Sequence, residues 1–226
     1  MSDVESMLDR LAGIELKPRL RGWLHLYAAL VSLAAGAVLV IVSGALRGDR
    51  AGLPTSVYAL TVTMLFGTSA LYHRRGWSPS AHGLMKRLDH SMIFVFIAGT
   101  YTPFAALTLP RTLSAAVLIV VWTGAIFGVI LQTAWPDAPR LISVPLYIGL
   151  GWVAVVLLPE LLHSFGVATL VLIATGGIIY TLGALAYGFK RPNPYPATFG
   201  YHEVFHLCTL VAAACHYIAV WLAVFA

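Results

Sequence analysis

Charge is what this chain has least of. Asp, Glu, Lys and Arg make up 10% of its 226 residues while 59% are hydrophobic, a balance that excludes an ordinary water-soluble domain and demands a lipid solvent. The only two cysteines, Cys208 and Cys215, lie about 10 Å apart along one helix. They cannot bond each other, so both are expected as buried reduced thiols packing like small apolar groups. Met1 to Arg21 lacks the apolar core of a cleaved signal peptide, so the first hydrophobic segment is expected to be retained. There is no internal repeat and no low-complexity tract. No polar stripe runs along any apolar segment, which argues against a pore.

What the chain does have is apolar segments of membrane-crossing length, which need about 20 residues each. Seven are read: Trp23–Leu46, Ser56–His73, Leu88–Leu109, Leu113–Thr133, Leu141–Glu160, Phe165–Phe189 and Gly200–Phe225. Turn-formers such as Arg47-Gly-Asp-Arg50 and Arg191-Pro-Asn-Pro194 separate them. The expected fold class is an all-α integral membrane bundle of seven transmembrane helices over residues 22–226. Residues 1–21 form a tail in which Ser2-x-x-Glu5 reads as a capping box. Val4, Met7, Leu8, Leu11 and Ile14 follow at helical spacing, predicting a short helix lying on the membrane surface.

Lys and Arg set the orientation. Eleven fall in the tail and in alternate loops (Arg10, Lys17, Arg19, Arg21; Arg74, Arg75, Lys86, Arg87; Arg140; Lys190, Arg191), against Arg47, Arg50 and Arg111 on the other side. The positive-inside rule puts the N-terminus in the cytoplasm and the C-terminus outside. The net charge of +5 is then a matter of topology and of attraction to anionic lipid heads, with no part for nucleic acid. The chain is expected in the cell membrane as a multi-pass protein.

Ionisable residues within such spans mark functional sites. In this threading His73 closes the second span, Asp89 opens the third, and His202 and His206 begin the seventh, all at the cytoplasmic side. His202 and His206 are four residues apart and share a helix face, as Ser69 and His73 do. Three imidazoles with an open fourth position is the arrangement of catalytic zinc. Iron and nickel accept the same ligand types. Asp89 is then either a fourth ligand or, preferably, the carboxylate that holds the attacking water. Taken singly, each residue has an ordinary reading: an interfacial or hydrogen-bonded histidine, a serine bonded to its own backbone. Their common depth is what joins them.

His202-Glu203-Val204-Phe205-His206 also spells H-E-x-x-H, in which the glutamate would be a metalloprotease base. Intramembrane proteases by resemblance carry this motif on an early span with an aspartate ligand on a later one, the reverse of the order here. His25 and His216 are expected to be satisfied packing residues. His82 and His163 are expected in loops, and His90 no closer than beside the site. Gly124-x-x-x-Gly128 is too weak a helix-contact pattern to fix an oligomeric state.

Four blocks carry a family resemblance: Ser69-Ala-Leu-Tyr-His73-Arg, Arg87-Leu-Asp89-His-Ser91-Met-Ile-Phe94, Ile97-Ala-Gly-Thr-Tyr101-Thr-Pro103-Phe, and Tyr201-His202-Glu-Val-Phe-His206 with Cys215-His216-Tyr217. Over about residues 16 to 224 the chain resembles hemolysin III proteins, the bacterial branch of the progestin and adipoQ receptor (PAQR) superfamily. The resemblance implies a seven-helix fold with intracellular N-terminus and a zinc ion held by His73, His202 and His206. It places Asp89 near the water and Ser69 as its companion. Glu203 sits where the family varies. The expected function is metal-dependent hydrolysis of an amide or ester bond in an acyl lipid. Asp89 would accept a proton and Ser69 support the oxyanion. The competing classes are a lipid-sensing receptor or membrane-homeostasis regulator with structural zinc, and a cytolytic pore-forming protein. The expected partners are membrane lipids and a lipid-like substrate or ligand.

Overall fold

A computed structural model describes residues 18–135 and 138–226. The surface helix expected over the first residues of the tail lies outside that range. Among the described residues the chain is all-helical apart from an isolated bridge between Tyr195 and Phe199. The helices are α1 (Trp23–Arg47), α2 (Asp49–Arg74), α3 (Pro79–Thr108), α4 (Arg111–Ala134), α5 (Arg140–Trp152), α6 (Leu158–Phe189) and α7 (Tyr201–Phe225), with a 3₁₀ turn, Val153–Leu157, between α5 and α6.

Local chemistry sets the boundaries. Gly48 ends α1 at φ 61 and its N–H bonds the Gly44 carbonyl at 2.9 Å, so α2 begins at once and the two helices form a tight hairpin. Small residues let them approach closely: a Cβ on Gly36 would stand 2.9 Å from that of Ala59, and the Ser43 and Thr55 hydroxyls meet at 2.7 Å. Ser78 caps α3 by accepting from the Ala81 N–H, with Pro79 in the first turn. The expected fifth segment runs through α5, the 3₁₀ turn and the start of α6. Gly166, at φ 73 and ψ 178, then breaks α6, so that Ile142–Ser164 and Gly166–Phe189 act as separate spans.

Among the described residues six stretches are long and apolar enough to cross a membrane: α1, α3, α4, Ile142–Ser164, Gly166–Phe189 and α7. That is one fewer than the seven expected. The exception is α2, which contains the whole of the expected Ser56–His73. Thr55, Ser56, Thr61, Thr63, Thr68, Ser69 and His73 make it the most polar of the helices, and its polar side chains turn inward. Thr55, Thr61, Ser69 and His73 are all buried.

Burial is inverted relative to a soluble protein. Leu30, Val31, Ile41, Ile119 and Val167 are largely exposed, while Ser43, Thr55, Asp89, Glu203 and His206 are buried. An apolar exterior around a polar-seeded interior fits a bundle solvated by acyl chains. Sequence neighbours pack side by side, and α1 also meets α7, which closes the ring. At its centre stands α3, touching α2, α4, α5, α6 and α7. Gly99 lets α3 settle on α2, where a Cβ would fall 2.1 Å from Thr61 Oγ1. Gly128 of α4 lies flat on the Phe94 ring of α3. The protein is an all-α, multi-pass membrane bundle.

Candidate metal centre

Three helix ends converge on one point. His73 projects from the last turn of α2, and His202 and His206 from the first two turns of α7. Their rings are mutually close, with centroids 4.8 Å apart for His73 and His202, 4.5 Å for His202 and His206, and 5.2 Å for His73 and His206. Nε2 of His202 lies 3.1 Å from Nε2 of His73. One nitrogen from each of the three rings fits within a span of 4.8 Å. Ligands at about 2.0–2.1 Å from a tetrahedral ion stand roughly 3.3 Å apart, so the triad is near the spacing a single cation requires. All three are buried, and neutral imidazole nitrogens are common metal ligands.

Asp89, nearly three turns into α3, sets Oδ2 3.8 Å from Nε2 of His73, and Ser69 hydrogen-bonds its carboxylate. The structure thus brings together all five residues singled out in the sequence: Ser69, His73, Asp89, His202 and His206. Their group could hold a metal ion with a carboxylate at hand.

Glu203 has other work. It is fully buried, receives the Arg21 guanidinium on Oε1 and accepts the Gly200 N–H on Oε2 at 2.9 Å. Both oxygens are taken, so the H-E-x-x-H pattern does not supply a free base. The ion pair anchors a strap across the site. Arg19 and Leu20 N–H groups bond the carbonyls of Ala197 and Thr198 at 3.1 and 3.2 Å. Gly22, at φ 80, presses so close that a Cβ there would stand 2.7 Å from the Cβ of His73. Arg74 closes over the Trp23 ring, 3.8 Å from its centroid.

His25 departs from its expected packing role. Its ring stacks on His206 with centroids 3.7 Å apart and planes 11° from parallel, and neither ring nitrogen has a hydrogen-bond partner. It was findable: the threading that groups His73 with His202 also puts the first turn of α1 at that end. His216 is likewise only half satisfied. Its Nε2 meets the Ile173 carbonyl at 3.3 Å while Nδ1 is without a partner. Cys208 and Cys215 are free thiols, as expected, but half-buried and not buried.

Beneath the histidines opens a cavity of about 230 Å³. Its head is formed by His25, Ser69, Asp89, His90, His202 and His206; its body, by side chains such as Phe96, Phe104, Leu109, Leu157, Leu161 and Ile173. A cluster of polar atoms at one end of an apolar chamber is suited to a ligand that is polar at one end and hydrocarbon along its length.

Comparison with known proteins agrees with this architecture. Residues 15–217 match the family model described as Haemolysin-III related. The chain is similar to Hemolysin-3 of Bacillus cereus, 30% identical over 84% of each chain. It is also similar to the Hemolysin-3 homolog of Bacillus subtilis (strain 168), 27% identical over 87% of this chain and 89% of that one. A human relative, Monocyte to macrophage differentiation factor, is 26% identical over 73% of this chain and 68% of its own length. With motifs, bundle and histidine cluster in agreement, the chain belongs to the haemolysin-III related family, within the PAQR superfamily that its sequence blocks resemble.

Proposed function

We propose that this protein is a zinc-dependent membrane hydrolase that cleaves an amide or ester bond in an acyl lipid. His73, His202 and His206 would hold the ion, and the observation that carries the reading is their convergence with Asp89 and Ser69 at the head of an apolar cavity. When bound, zinc supplies Lewis acidity toward a carbonyl oxygen. The protein's residues supply the rest. The cavity aligns the acyl chain, so that the scissile carbonyl stops at the histidines while the hydrocarbon fills the body. Asp89 takes a proton from the attacking water at Oδ2 and returns it to the departing amine or alcohol. Ser69 donates its one hydroxyl proton to the Asp89 carboxylate, and turns it to the developing oxyanion once Asp89 has taken the proton from water. The strap from Pro18 to Gly22 limits access of bulk water from the cytoplasmic end.

The topology belongs to the same proposal. We take α2 as a seventh crossing whose polar face is covered by α1, α3 and α7, with residues 22–226 as the transmembrane domain. The N-terminus is cytoplasmic, the C-terminus outside, and the partners are membrane lipids. In a competing reading the histidines only tie α2 to α7 while the protein senses lipid, as a receptor or membrane-homeostasis regulator would. The names of the two bacillary relatives suggest cytolysis, but the apolar cavity lining gives no aqueous path for a pore.

One variant separates enzyme from clip. Protein purified without chelator is assayed for metal by elemental analysis and for release of fatty acid from ceramide and phospholipid. Asp89→Asn is expected to keep its zinc and lose at least about 100-fold in rate. Full activity in that variant, or no hydrolysis by the zinc-loaded wild type, would leave the clip as the better account.

A further inference from the structure

A second polar station lies deeper in the cavity, away from the histidine triad. His216 of α7 and Tyr180 of α6 face each other with ring centroids 5.5 Å apart, and both line the chamber. Gly176 makes room for this: a Cβ there would fall 2.5 Å from His216 Nε2. The ring is thereby held against α6, where its Nε2 meets the Ile173 carbonyl. A carbonyl can only accept, so Nε2 carries the ring proton and Nδ1 is left as a bare acceptor. That nitrogen has no partner, and neither does the Tyr180 hydroxyl, although both atoms are buried. Two such groups left unsatisfied in a membrane interior carry the desolvation cost of a buried polar atom with no water at hand.

The pair offers one acceptor and one donor, the complement of a single hydroxyl group. We propose that Tyr180 and His216 form a subsite for a hydroxyl carried part-way along an acyl chain, so that the preferred ligand is a hydroxylated lipid chain and not a plain one. The hydroxyl donates to His216 Nδ1 and accepts from Tyr180. Its position on the chain follows from α7. His206 and His216 are ten residues apart, about 15 Å along the axis. An extended chain advances roughly 1.25 Å per staggered carbon–carbon bond, so the hydroxyl belongs about twelve carbons from a carboxyl seated at the triad.

This inference rests on the cavity being an acyl site, and the test keeps the two claims apart. Octadecanoic and 12-hydroxyoctadecanoic acids compete against radiolabelled octadecanoic acid on the full protein in nanodiscs. The expected result is that the hydroxy acid binds at least about fivefold more tightly to wild type. Tyr180→Phe, which keeps the ring and its packing, should erase that preference while leaving the affinity for octadecanoic acid in place. His216→Leu should do the same. Equal affinity of wild type for the two acids would overturn the subsite while the acyl site stands, as would a preference that survives in Tyr180→Phe. If neither acid binds, both claims fall.

Discussion

His73 and Gly22 show how tightly the candidate centre is specified at single positions. Gly22 has a left-handed backbone, and its missing Cβ is the space that the Cβ of His73 borders at 2.7 Å. Gly22→Ala is therefore expected to cost more than the strain of φ 80 alone. It should displace His73 and weaken metal binding by about tenfold or more, by analogy with the loss of other groups that orient ligands. Titration with a competing chelator would measure this; unchanged affinity would show that the strap and the triad are independent. Four of the five residues at the centre were legible as pairs at four-residue spacing, Ser69 with His73 and His202 with His206, and Asp89 as a carboxylate in an apolar context. His25 carries the same chemistry with no partner in its own segment, so the threading gives its end of the bundle and only the stack on His206 gives its contact. Glu203 misleads in the opposite direction. Its motif advertises a base, while Arg21, 182 residues away in sequence, claims the carboxylate.

Among the helices, close approach is bought with glycine. Gly99 on α3 meets Thr61 on α2 with no room for a methyl group, the Thr61 Cβ itself lying 2.8 Å from where a Gly99 Cβ would be. Gly99→Ala should push the two helices apart and destabilise the bundle by about 1–3 kcal/mol. Thr61→Gly in the same chain should restore part of the loss, and thermal unfolding in detergent would read both. A second interaction between elements is the buried pair of Arg21 and Glu203, which ties the strap before α1 to the start of α7. Arg21→Ala strands a carboxylate in the interior and is expected to destabilise by about 3 kcal/mol. Arg21→Met with Glu203→Leu should recover most of that, whereas equal loss in single and double variants would point to lost packing. Helix existence could be read from the runs of apolar residues. So could the break before Gly166, where the segments ending at Glu160 and starting at Phe165 part, although nothing local signals that φ turns positive at Gly166 itself. Nor does the sequence announce the strap, whose hydrogen bonds join two irregular segments.

For the whole molecule, the proposed threading makes opposite ends accessible from opposite sides. In a background lacking Cys208 and Cys215, Gly76→Cys is expected to react with an impermeant maleimide only when the cytoplasmic face is open. Arg111→Cys should react from outside. Labelling of both from one side would mean that α3, the helix between the two positions, does not cross. The membrane class was evident from composition, but α2 was harder to place, because its polar residues are tolerable only when other helices cover them. That dependence bears on the order of synthesis. His73 and His202 are separated by 129 residues, which a ribosome adding roughly 5–20 residues per second needs on the order of ten seconds to bridge. Until the final helix arrives, the nascent chain holds half a cation trap beside a polar segment without its cover. Capture of the proposed ion would then be among the last events of biogenesis, and a chain stalled before Tyr201 is one that the insertion machinery must shelter or quality control remove.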